Sequence, residues 1–159
     1  MTSSSTRVDA EYDATTLGAL HTQGEERRRA VVGSAHVDRS LAAASAFTQP
    51  MQDLATTFAW GHVWNRPGLS FRDRSLLNIG MLVALNRSPE LAVHTRGALT
   101  NGIGEVELRE ALLQAATYCG MPAGMEAFRV ADKALGEWKQ ENGYAPDQVV
   151  PAQPEGRHK

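Results

Sequence analysis

The residues best equipped for chemistry are gathered in one stretch, Phe58 to Arg74, which reads FAWGHVWNRPGLSFRDR. It places two tryptophans, a histidine and three arginines around a tight turn at Pro67-Gly68. Proline cannot donate a backbone hydrogen bond and glycine opens positive φ values, so the pair ends one helix and the turn leads into another. Trp60 and Trp64 are four apart and share a helix face, while His62 lies between them in sequence and points to another side. Aromatics beside a titratable imidazole and the fixed cations Arg66, Arg72 and Arg74 suit a pocket for a flat anion. The same spacing also fits an ordinary helix-turn-helix corner with one half-exposed histidine.

A second histidine, His94, falls on a stripe with Leu91, Thr95 and Ala98. A histidine in that setting is either a hydrogen-bonded core residue or an inward-facing acid or base. The five histidines, at 21, 36, 62, 94 and 158, form no HxxxH or HxH pair, so no metal site is read from them. One cysteine, Cys119, excludes an internal disulfide, a CxxC redox pair and a thiolate metal site. At the end of an apolar helical pattern it reads as a buried structural thiol rather than a nucleophile. There is no glycine-rich phosphate loop, GxSxG elbow or paired-carboxylate spacing, which removes the common enzyme templates.

These side chains need a scaffold, and nearly every segment between the ends has a helical period. The 159 residues are enough for one domain with a core of its own. Sixteen Lys and Arg against eighteen Asp and Glu leave the charge near zero, which gives no reason to expect nucleic acid or a membrane surface as partner. Residues 1–15 are polar with no apolar run, so they read as neither a signal peptide nor an anchor, and a cytoplasmic protein is expected. Residues 1–14 and 144–159, rich in Ser, Asp, Pro and Gln, are expected to be mobile arms flanking a helical domain over 15–143.

The expected helices follow from caps and stripes. The first runs from Thr16 to Val32 and ends at Gly33, and Ser34 starts a short turn after it. Another begins near Thr48 as N-cap with Pro50 in its first turn, and its stripe Met51, Leu54, Ala55 and Phe58 is expected to face inward with His62 continuing it. Ser70 to Asp73 resembles a capping box. The helix it opens, through 74–87, is apolar nearly all round and is expected to be either the central buried helix or part of a subunit interface. Ser88-Pro89-Glu90 reads as N-cap, first-turn proline and first-turn acid of the next. Gly104 to Cys119 and Ala123 to Gln140 complete six or seven helices in an all-α domain.

Taken together, RRAVVGSAHVDRS at 28–40, AWGHVWNRPGL at 59–69, RSLLNIGMLVALNR at 74–87, HTRGALTNG at 94–102 and LLQAATYCGMPA at 112–123 resemble the γ-carboxymuconolactone decarboxylases. The likeness covers about residues 20–138 in order. It implies the all-helical fold shared with alkylhydroperoxidase-D-like proteins, usually assembled as trimers or hexamers. The peroxidase branch of that fold carries a CxxC followed by His, which this chain lacks. Two positions depart from the decarboxylase pattern: His62 stands where an acid is usual, and Met125-Glu126 where an Asn-Ser pair is usual. Loss of a carboxylate at one place and gain at another suggests a rebuilt pocket.

The resemblance implies a decarboxylase of a small carboxylated unsaturated lactone, such as 4-carboxymuconolactone in aromatic-acid catabolism, working without a cofactor. His94 matches the family's histidine and takes the leading acid/base role. Arg66, Arg72 and Arg74 are candidates for holding the carboxylate, with one or two of the three expected to touch substrate; Trp60 and Trp64 would wall the ring, beside Met125. His62 and Glu126 would form a new proton-transfer pair. Two alternatives stand beside this: another cofactor-free lyase, isomerase or hydrolase step on a small carboxylic acid, and a non-catalytic oligomer that binds such an acid.

Overall fold

The computed structural model describes residues 16–154, so the expected N-terminal arm and residues 155–159 lie outside the described residues. Those described form seven helices and no strand: α1 (Leu17–Val32), α2 (Ser34–Ala42), α3 (Gln49–Leu54, continuing as a π-helix over Ala55–Val63), α4 (Phe71–Ala84), α5 (Ser88–Thr100), α6 (Glu105–Cys119) and α7 (Met121–Glu141). The backbone contacts group the chain into two compact units, one up to Leu69 and one from Ser70.

In the N-terminal unit, α1 starts as its sequence demands. The Thr16 hydroxyl accepts from the Ala19 N–H at 3.2 Å, and Gly33 ends the helix at φ 87°. The pairing of α1 with the π-helical half of α3 is set by two glycines. A Cβ on Gly24 would lie 2.0 Å from the Thr56 carbonyl oxygen, and one on Gly61 would lie 2.1 Å from that of Leu20. Only residues without side chains permit this backbone-to-backbone approach.

That approach overturns the expected inward stripe of α3. Met51, Leu54 and Phe58 are 62 %, 52 % and 47 % exposed, whereas Thr56, Thr57, Trp60, Gly61 and Trp64 are buried. From Ala55 the helix widens into i→i+5 bonding, with the Trp64 N–H donating to the Ala59 carbonyl at 2.9 Å, so the 3.6-residue period no longer tells which side faces in. The face that meets α1 is the one with glycine at its centre, not the greasiest one. Thr48 also does not cap α3 with its side chain; its hydroxyl accepts from the Ser45 N–H at 2.9 Å.

The C-terminal unit carries the apolar core. Ile79 and Val83 of α4, Leu91, Ala98 and Leu99 of α5, Ile103, Leu108 and Leu112 of α6 and its approach, and Ala127, Ala131 and Trp138 of α7 form one cluster. Burying each large aliphatic contributes about 1.5–3 kcal/mol. Ser70 caps α4 by accepting from the Asp73 N–H at 3.0 Å, as its sequence implies. The helix is not covered on every side within the chain, however. Ser75, Ile79 and Val83 face in, while Leu77, Met81 and Leu85 are 54 %, 45 % and 68 % exposed. Four-residue spacing puts the first set on one face and the second on the other.

Three smaller expectations are corrected here. Ser88 is the first residue of α5 rather than its cap, and its hydroxyl donates to Glu126 Oε1 at 3.1 Å. Cys119 is exposed: it continues the buried line of Leu108, Leu112, Ala115 and Ala116, but it ends α6, where Gly120 at φ 98° turns the chain away. The C-terminal segment from residue 144 is not loose through residue 153. The Glu105 N–H donates to the Val150 carbonyl at 2.9 Å and the Gln153 N–H to the Gly102 carbonyl at 2.9 Å. Lys139, 6 % exposed, pairs with Glu105 at 2.7 Å and donates to the Pro146 carbonyl at 3.2 Å, while Tyr144 packs on Trp138. Polar composition hid the one buried anchor, Val150, and the waiting partners on α6 and α7.

Candidate functional site

In the N-terminal unit the expected aromatic pair is present as a stack. Trp60 and Trp64 lie with ring centroids 4.9 Å apart and planes inclined by 23°, both buried. An i, i+4 spacing on a π-helix still brings two large rings together, and their stacking fixes both rotamers. His62 lies between them in sequence and is half-buried, as is Arg66 in the turn that follows. The end of the π-helix is tied by Asn65, whose Nδ2 donates to the carbonyls of Trp60 and Gly61 at 3.3 and 3.1 Å. Its Oδ1 accepts from Arg27 Nε of α1 at 2.8 Å. Asn65 therefore holds the frame of the tryptophan pair, a role its sequence position alone did not announce.

Beneath this lies a buried cation. Arg28, 8 % exposed, donates to Gln52 Oε1 at 2.9 Å, Thr56 Oγ1 at 3.3 Å and Ser40 Oγ at 3.1 Å. All three acceptors are neutral, and burial lowers the guanidinium pKa below its ordinary value, with the neighbouring Arg29 adding to the effect. One arginine of the charged run over residues 24–29 thus points inward.

In the C-terminal unit His94 is half-buried on α5, and Asn78 of α4 brings its side-chain amide to 3.5 Å from Nδ1. An amide can donate from its nitrogen or, rotated, accept on its oxygen, so Asn78 can serve the neutral and the protonated ring alike. One helical turn before His94 stands Glu90. Its Oε1 accepts from Arg87 Nη2 at 2.6 Å, on the solvent side, and the side chain is 43 % exposed. Its Oε2 is covered by protein and has no hydrogen-bond partner among the described residues. The Arg87 guanidinium and then Glu90's own backbone N–H hold the carboxyl below the usual range, with the charge of His94 acting in the same direction. Sequence reasoning took Glu90 only as a first-turn acid; the signal available was its i, i+4 spacing to His94.

The remaining candidates fall into three situations. Arg72 is already engaged, in an ion pair with Glu107 whose carboxyl is lowered first by the Gly104 N–H and then by Arg72. Arg74 is half-buried on the next turn of α4. Glu126 accepts from Ser88 and forms two hydrogen bonds with Arg129, at 2.9 and 2.6 Å, so its carboxyl is held low by Arg129 first and Ser88 second. Its counter-charge is the arginine one turn on, and Met125 beside it is 73 % exposed. The groove between α6 and α7, floored by Leu108, Leu112, Phe128 and Leu135, contains none of the candidates. Among the described residues no three His, Cys, Asp or Glu side chains converge as metal ligands, and no helix is long and apolar enough to cross a membrane.

Comparison with known proteins places this geometry in a lineage. The model of the carboxymuconolactone decarboxylase family matches residues 49–133, from the first residue of α3 into α7. The nitrosuccinic acid decarboxylase npaB of Metarhizium robertsii is 44 % identical over 125 residues, 79 % of this chain and 87 % of that protein. The 4-carboxymuconolactone decarboxylase of Acinetobacter baylyi is 41 % identical over 127 residues, 80 % of this chain and 92 % of that protein. With a match over more than half its length and two relatives so fully aligned, this chain belongs to the carboxymuconolactone decarboxylase family.

Proposed function

We propose that this protein is a decarboxylase of a small carboxylic acid whose departing carboxylate sits where a carbonyl or nitro group can take up the electron pair. The observation that carries the reading is that relatives aligned over four-fifths of the chain are decarboxylases of two different acids. The two substrates share one electronic feature. In carboxymuconolactone the pair left by carbon dioxide delocalises through the unsaturated lactone as a dienolate; in nitrosuccinic acid it passes onto the nitro group as a nitronate. Either way the C–C bond breaks, carbon dioxide leaves, negative charge collects on oxygen, and one proton delivered to carbon completes the product. Such a reaction needs stabilisation of the oxyanion and a placed proton donor, and the substrate itself is the electron sink.

His94 is the proton donor in this reading, supported by its half-buried place on α5 beside Asn78. Within the same unit Arg74 remains the arginine for carboxylate recognition, since Arg72 has a carboxylate of its own. Incubating the purified protein with carboxymuconolactone and, separately, with nitrosuccinic acid tests the reading. Carbon dioxide release from one of them is expected, falling about 100-fold or more in His94→Ala at unchanged melting temperature. Release from neither acid, or a His94→Ala variant as active as the parent, refutes it.

A further inference from the structure

We propose that Glu90 is a positioning residue for His94: its inward-turned Oε2 supplies a fixed negative charge, one helical turn away, that keeps the imidazole cationic and aimed for proton delivery. The inference rests on the decarboxylase reading above. Four features of the structure carry it.

First, the two oxygens of Glu90 have different fates. Oε1 is held at the surface by Arg87 at 2.6 Å, while Oε2 is covered and lacks any hydrogen-bond partner among the described residues. A covered carboxylate oxygen without a partner costs free energy unless a charge or a proton nearby answers it. Second, side chains on an α-helix lean toward its N-terminus, so His94 lies over the turn that bears Glu90, and acid before base at i, i+4 is the favourable order. Third, Arg87 meets only Oε1, from the solvent side, and so leaves the covered Oε2 to whatever lies on the inner side. Fourth, near the start of α5 the Glu126 carboxylate of α7 is already matched by Arg129 and Ser88, and the α4 group within reach of the His94 ring is the neutral amide of Asn78. A general acid must be protonated before each turnover, and a neighbouring carboxylate raises the fraction of imidazole that is so.

The test is Glu90→Gln, which keeps the size of the side chain and an oxygen for Arg87 while removing the charge. The His94 imidazole is followed by its nitrogen shifts across a pH titration, and turnover is measured on the acid that the protein decarboxylates. We expect the proton affinity of His94 to fall about tenfold. We also expect kcat to fall by a similar factor with KM changed less than about twofold, and Glu90→Asp to recover most of both. Arg87→Ala, which frees Glu90 of its surface partner, is expected to leave the affinity of His94 unchanged or raise it, and serves where Glu90→Gln does not fold. An unchanged His94 titration in Glu90→Gln, or a lowered one in Arg87→Ala, overturns the proposal while active parent protein leaves the decarboxylase reading standing. A tenfold fall in a protein that decarboxylates neither acid upholds the coupling and removes only that reading.

Discussion

In the N-terminal unit the tightest contact is backbone on backbone, Gly24 and Gly61 letting α1 and the π-helix touch, and the buried cation Arg28 has only neutral partners. In the C-terminal unit side chains interlock in an apolar cluster, and nearly every charged group named above has an opposite charge: Arg72 with Glu107, Arg87 with Glu90, Arg129 with Glu126, Lys139 with Glu105. The first arrangement is intolerant of added volume, and the hydrogen-bond partners of its buried cation do not titrate, although Arg29 on its surface pairs with Glu25 and Asp38. The second tolerates volume at its surface but depends on ionised carboxylates. The difference teaches that the stacked tryptophans are supported by shape, whereas His94 sits among groups whose charge can be tuned.

The sharpest way to break the comparison is at the glycines. Gly24→Ala or Gly61→Ala puts a methyl about where a carbonyl oxygen already is, and the helices must separate. We expect a loss of about 3 kcal/mol or more in denaturant unfolding, with the Trp60–Trp64 stack altered in near-ultraviolet circular dichroism. A loss below about 1 kcal/mol would show that the approach is not what holds the pair.

Less drastic is the fate of the exposed apolar faces. Phe47, Met51 and Leu54 in one unit and Leu85, Tyr118, Met121 and Met125 in the other are all more than half exposed. Surfaces of that kind are covered by association, and we propose a symmetric homo-oligomer. Sedimentation at micromolar concentration is expected to give a small multiple of 17.2 kDa. A monomer there would sink the idea.

The smallest effect separates the units by acid. Glu90, Glu107 and Glu126 have folded pKa values below their ordinary 4.5, each with an arginine among the causes. A depressed carboxylate stabilises the fold above its unfolded pKa and loses that contribution as pH falls through the folded value. Melting temperature is therefore expected to hold down to about pH 5 and then to drop by a few degrees toward about pH 3. Amide exchange should quicken first in α5, α6 and α7, not around Arg28, whose partners do not titrate. Earlier loosening around Arg28 would contradict the comparison.

What the sequence determined by itself was local: six or seven helices, the start of the first at Thr16 and its stop at Gly33, the Ser70 cap, and, through its resemblance, the family. These depend on residues a few positions apart, where propensity and capping act without help from the rest of the chain. What only the tertiary structure decided was direction. The apolar stripe of Met51, Leu54 and Phe58 turned outward because two glycines elsewhere chose the face that meets α1, and a π-helical step cancelled the period used to predict it. Cys119 kept its expected face but lost its cover at the end of a helix, and residues 144–153 docked because Glu105, Lys139 and Gly102 were waiting far away in sequence. Glu90 passed as a first-turn acid until one of its oxygens proved covered and unpartnered beside His94. Burial and partnership are properties of elements meeting one another, and spacing along a single helix does not contain them.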